Sequence, residues 1–245
     1  FHCAQKITER LNSHLATSET QQLVSSSFDR TVLPNGLRIL TSTFRHTNAV
    51  SIMFLFGAGS RYETPELAGA SHLFEHMLFK GTPERPTPRQ ISEVVEGVGG
   101  MLNAFTDREV TGYYCRLAQP HYREGIDLIC DMTLNSLFRD DDIAKEKQVV
   151  YEEIRASFDS PGARTSMLLD DLLWPDQPMG RDIAGSVESV GAITRDQMLE
   201  YLKTQYVGSN TVIAVAGNIE HADVVKQITE KLGDLHDGEI LPMFA

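Results

Sequence analysis

Cysteine is scarce in this chain: Cys3, Cys115 and Cys130 are odd in number, widely spaced and without a Cys-x-x-Cys pair. That argues against a thiolate zinc site and suits a reducing compartment, bacterial cytoplasm first and mitochondrial matrix second. Long apolar runs are missing too. None approaches the roughly 18 residues of a membrane helix, and the start carries no basic-then-apolar signal pattern, so no membrane span is expected. Positive charge is in short supply, with 22 Lys and Arg against 34 Asp and Glu. The net charge of −12 argues against a nucleic-acid partner, because phosphate binding needs a basic surface. An acidic surface suits basic peptides, although plain solubility explains it more simply. There is no phosphate-binding glycine loop either, since Gly97-x-Gly99-Gly100 precedes an extended stretch rather than a helix. What is present is 245 residues, 41% of them hydrophobic, enough to bury a full core as one large domain or two small ones.

The most informative stretch is His72-Leu73-Phe74-Glu75-His76. On a helix, two imidazoles four residues apart share one side, and Glu75 projects between them. Thr64-Pro65-Glu66 supplies a cap, a first-turn proline and an early acid, and Gly81 follows the run, so a helix is expected between them. It is apolar nearly all round, which predicts burial. Buried histidines and a buried acid need a partner, and zinc would be one: neutral imidazole is a common ligand, and a catalytic zinc takes three protein groups. Two surface histidines at helical spacing remain the plainer alternative for the motif taken by itself.

Residues 1–27 are polar and read as a loosely attached arm. From Phe28 onward, Thr31–Leu33 and Leu37–Thr41 flank Pro34-Asn35-Gly36 and predict a hairpin. Ala49–Phe56 is apolar on both faces and predicts a central strand covered on each side. Met101–Leu117 reads as one long extended segment whose polar residues mark an edge strand. Helical patterns run through 122–138, 143–158, 165–173 and 223–232, and Thr194-x-x-Gln197 is a capping box opening another to Tyr206. Asn210–Ala216 reads as a buried strand. The predicted fold is α+β, a mostly antiparallel twisted sheet from about 31–41, 48–56, 101–118 and 210–217 with helices packed mainly on one face. Residues 28–235 form the domain. The stretch 236–245, apolar at its tail, reads as the start of a linker to a second domain.

The 143–158 helix carries the second constellation. Glu146 and Glu153 are seven apart, and Val149 and Val150 share their face, which places two carboxylates on a stripe expected to pack inward. Carboxylates there are costly unless bound, although a solvated acidic face is the alternative. Glu153 is the best third ligand in the sequence, and Glu146 would hydrogen-bond a ligand imidazole. The two helices must then lie side by side, with ligand distances of about 2 Å.

His72-x-x-Glu75-His76 inverts the common zinc-protease order. With HLFEHMLFKGT, the later EKQVVYEEI over 146–154, Leu33-Pro34-Asn35-Gly36-Leu37, Gly99-Gly100-x-x-Asn103-Ala104-Phe105-Thr106 and Val215-Ala216-Gly217-Asn218, the chain resembles the pitrilysin and mitochondrial-processing-peptidase family of inverzincins. The resemblance spans about 28–235 and implies the LuxS- and processing-peptidase-like metallohydrolase fold. It implies one zinc per chain on His72, His76 and Glu153, with Glu75 as the catalytic acid/base and Glu146 as the supporting carboxylate. Asn103, Ala104 and Phe105 match edge-strand positions that hold substrate as an added β-strand. Family members usually carry two or four such domains, and the second half supplies an Arg/Tyr pair that has no match here. The resemblance thus implies a zinc endopeptidase for extended peptides or leader sequences that needs a second homologous domain or subunit, with little activity alone. The fold also serves as non-catalytic partner subunits, the alternative reading. Such subunits typically lose one of the four site residues, and all four stand here.

Overall fold

The computed structural model describes residues 28–238. Six strands, β1 (Asp29–Val32), β2 (Arg38–Thr43), β3 (Ala49–Phe56), β4 (Met101–Thr106), β5 (Thr111–Ala118) and β6 (Thr211–Gly217), form one sheet in the order β1-β2-β6-β3-β5-β4. All neighbours are antiparallel except β2 and β6, which run parallel. The helices are α1 (Ala70–Leu78), α2 (Pro88–Glu96), α3 (Tyr122–Asn135), α4 (Asp140–Asp159), α5 (Pro161–Leu173), α6 (Val187–Ala192), α7 (Arg195–Gln205) and α8 (His221–Leu232). The α+β class, the mostly antiparallel sheet and the one-sided helices are as expected. Among the described residues no helix is long and apolar enough to cross a membrane.

The sheet shows its alternation residue by residue. Ile39, Val50, Ile52, Phe54, Phe56, Tyr113, Cys115, Ile213 and Val215 point to one face and join a single core with Leu73, Phe74, Met77, Ile126, Ile129 and Ile228 from the helices. The residues between them, Leu40, Met53, Leu55, Tyr114, Ala214 and Ala216, stay partly exposed on the other face. β3 is therefore central but covered on one side, not both as its composition suggested. These mainly apolar residues line the open face without helices above them among the described residues.

The stretch read as one segment over 101–117 is a hairpin. Asp107 donates its N–H to the Val110 carbonyl at 2.8 Å, and the chain reverses there, with Met101 facing Arg116 and Thr106 facing Thr111. Of these two strands β4 lies at an edge of the sheet and β5 inside it. The expected arm over 1–27 and tail over 239–245 lie outside the described residues. Residues 236 and 237 run beside the β6 approach, their carbonyls accepting from Gly208 and Ser209.

Candidate metal centre

The helix bearing the histidines starts later than its sequence suggested. Pro65–Leu67 forms a single 3-10 turn, and the chain bends at Gly69, whose φ of 94° favours glycine and where a Cβ would sit 2.5 Å from the Ala184 carbonyl oxygen. The cap comes from Glu63 instead of Thr64. Its carboxylate accepts the N–H of Gly69 at 2.8 Å and of Ser71 at 2.6 Å, satisfying donors that a helix start leaves open. Ser71 is tied in turn to the Tyr201 hydroxyl at 2.7 Å. Leu73, Phe74, Met77 and Leu78 are fully buried, so α1 cannot rotate, and its remaining face presents His72, Glu75 and His76.

α4 packs beside α1, as the shared site required. Its buried stripe is Ile143, Glu146, Val150 and Ile154. Val149 is 42% exposed, so the expected inward face is shifted by part of a turn. Glu146 is 7% exposed, whereas Glu153 is exposed and lies off the buried stripe on which the spacing had placed it. It still reaches the histidines. Glu153 Oε2 is 3.6 Å from Nε2 of both His72 and His76, and the three donor atoms lie within 4.8 Å of one another. Zinc bonds of about 2.0–2.1 Å in a tetrahedron place ligand atoms roughly 3.3–3.4 Å apart, so the two Glu153–histidine distances already suit a zinc ion and the two imidazoles would draw together to close the set.

The ring chemistry agrees. The Nδ1 of His76 is 3.1 Å from Glu146 Oε2, a contact that holds the proton on Nδ1 and leaves the Nε2 lone pair facing the site. Burial, helped by the neighbouring His76, lowers the His72 pKa to about 4, so His72 is a neutral imidazole at pH 7. Its Nδ1 is buried without a hydrogen-bond partner. Glu75 is buried enough that desolvation raises its pKa, against which the Thr106 hydroxyl, donating to Oε2 at 2.5 Å, works in the opposite sense. Thr106 is the last residue of β4. The edge strand and the acid are thus joined by one hydrogen bond.

Asn103, Ala104 and Phe105 lie in β4, on the outer strand of the sheet. The Ala104 N–H donates to Asn103 Oδ1 at 2.8 Å, so Asn103 covers a backbone donor of its own strand. Two residues that bear on the site carried no role in the sequence reading. Thr106 and Lys80, whose Nζ is 2.7 Å from Glu146 Oε1, were only motif positions. The signal for Lys80 was its place four residues after His76, one turn on along the same side.

The family model for insulinase (peptidase family M16) matches residues 38–187, and that for the peptidase M16 inactive domain matches 192–244. An uncharacterized zinc protease of Streptomyces coelicolor is 37% identical over 236 residues, covering 93% of this chain and 51% of that protein. A probable mitochondrial-processing peptidase subunit beta of Arabidopsis thaliana is 37% identical over 201 residues, covering 81% and 37%. A protease of Helicobacter pylori shares the fold, with a TM-score of 0.81 at 21% identity over 90% of this chain and 53% of that one. The chain spans about half the length, or less, of these relatives. With more than half of its residues matched by the insulinase model, and with the inverted histidine motif set on the expected helix, the chain belongs to the insulinase family of peptidases, family M16.

Proposed function

We propose that this chain is the metal-bearing half of a zinc endopeptidase that cuts extended peptides or leader sequences. One observation carries the reading: Nε2 of His72, Nε2 of His76 and Oε2 of Glu153 converge within 4.8 Å, with Glu75 on the same helix face. His72, His76 and Glu153 would hold one zinc per chain. When bound, zinc supplies a Lewis acid that polarises a peptide carbonyl and acidifies water. Glu75, fixed by Thr106, takes the proton from the attacking water and delivers it to the leaving amine. Glu146 keeps His76 in the tautomer that ligates. The substrate lies along β4 as an added strand, its backbone pairing past Asn103, Ala104 and Phe105. Binding there requires the Asn103 amide to release the Ala104 N–H, and the exposed Phe105 offers an apolar surface to an alternate side chain. A second homologous domain or subunit completes the chamber, in keeping with relatives about twice as long.

The competing reading, a non-catalytic partner subunit, is disfavoured by the presence of all four site residues. Elemental analysis of protein purified without chelator separates the two. The peptidase reading expects about one zinc per chain, lost in Glu153→Gln and retained in Glu75→Gln, whose assembled enzyme has no turnover. An absence of zinc after reconstitution favours the partner subunit.

A further inference from the structure

We propose that Lys80 is a positioning residue for the metal site, holding Glu146 in the orientation from which it orders His76. This rests on the zinc reading above. Three groups stand in line: Lys80 Nζ is 2.7 Å from Glu146 Oε1, and Glu146 Oε2 is 3.1 Å from His76 Nδ1. Each carboxylate oxygen therefore has its own partner. A ligating His76 is neutral and offers a single N–H, which satisfies one oxygen and leaves the buried charge uncompensated. Lys80 supplies the compensating charge. Without it the carboxylate swings toward water, and the imidazole loses the contact that sets its tautomer and angle.

The backbone around Lys80 is held in place. Its N–H donates to the Met77 carbonyl at 3.1 Å, adding a last turn to α1, whose C-terminal end favours a cation. Gly81 follows with φ of 138°, and a Cβ there would lie 2.6 Å from the Pro86 carbonyl oxygen. The Gly81 carbonyl accepts the Leu137 N–H at 3.0 Å, which ties this turn to the connection leading into α4. Lys80 thus sits on a backbone clamped to both helices of the site. Lys147, adjacent to Glu146 in sequence, is engaged by the Gly191 and Ile193 carbonyls and takes no part.

The test is zinc affinity of the full chain by chelator competition, with thermal melting of the metal-free protein recorded for each variant. Lys80→Met is expected to bind zinc about tenfold more weakly, in the range found for losing a partner of a ligand. Its metal-free melting point should fall as well, because Glu146 is left buried without a charge partner, and Lys80→Arg should recover most of the affinity and of the melting point. Lys80→Gln serves if the Met variant does not fold. In a Glu146→Gln background, removing Lys80 should have no further effect, because the link it acts through is already cut. Affinity unchanged in Lys80→Met, or a loss that persists undiminished in the Glu146→Gln background, overturns the proposal while leaving the zinc reading intact. A wild-type chain that takes up no zinc overturns both.

Discussion

At the scale of single residues, the proposed mechanism makes the Thr106 hydroxyl the group that tunes Glu75 as a base. Burial raises the pKa of Glu75, and the hydrogen bond from Thr106 pulls it back toward the ordinary carboxylate range. Only the ionised carboxylate can accept a proton. Removing the donor with Thr106→Val leaves burial less opposed, so Glu75 ionises at higher pH and the acid limb of the rate profile should move to higher pH. A hydrogen bond to a charged group is worth about 1.5–3 kcal/mol, so turnover at a given pH on the acid limb should fall about tenfold, with little change well above it. Zinc content should be unchanged and Thr106→Ser should restore most of the rate. Steady-state kinetics against pH on the assembled enzyme checks this, and an unmoved acid limb would sink it. The cysteines give a second test at this scale. Burial pushes the Cys115 thiol up to about 12 and Cys130 higher still, so neither is a thiolate at pH 8. In a Cys3→Ser background, maleimide should label neither until the chain is unfolded in denaturant.

At the scale of elements, α1 depends on a residue outside it. Glu63 is 5% exposed and accepts two N–H groups at the helix start, and replacing it with Gln offers one carbonyl oxygen and turns an NH₂ toward the other donor. The loss expected is about 1–3 kcal/mol, the penalty for one buried donor left unsatisfied. Urea denaturation of Glu63→Gln measures it, and a stability equal to wild type would show that the cap lies elsewhere. The Thr64-Pro65 pair in the sequence marked a helix start correctly in kind but several residues early. The cap that forms comes from a side chain brought in by the turn at Ser60–Tyr62, and a spacing rule for neighbouring residues has no access to such a contact. The capping box at Thr194 and the Asn-Gly turn were legible because their hydrogen bonds close within four residues. His72, Glu75 and His76 were legible for the same reason, being spaced by one helical turn. Glu146 and Glu153 were found through their seven-residue interval, whereas Lys80 and Thr106 meet their partners across 66 and 31 positions, where periodicity is silent.

At the scale of the molecule, the sheet is lopsided, and sequence composition hides this. β3 carries Val50, Ile52, Phe54 and Phe56 into the core, and also Met53 and Leu55 toward the open face, where Leu40, Tyr114, Ala214 and Ala216 join them. Apolar residues on both faces normally mark a strand with helices above and below. Here the second set is uncovered among the described residues, so adjacent positions of similar character should differ sharply in worth. Phe54→Ala empties a fully buried site and should destabilise by about 3–5 kcal/mol. Met53→Ala, whose side chain is already partly hydrated, should change the stability of the isolated chain by about 1 kcal/mol or less on the scale of surface apolar area removed. Chemical denaturation of the two variants side by side tests the asymmetry. Equal losses would mean that another part of the 245-residue chain covers the open face, and the uncovered sheet would then be a property of residues 28–238 alone.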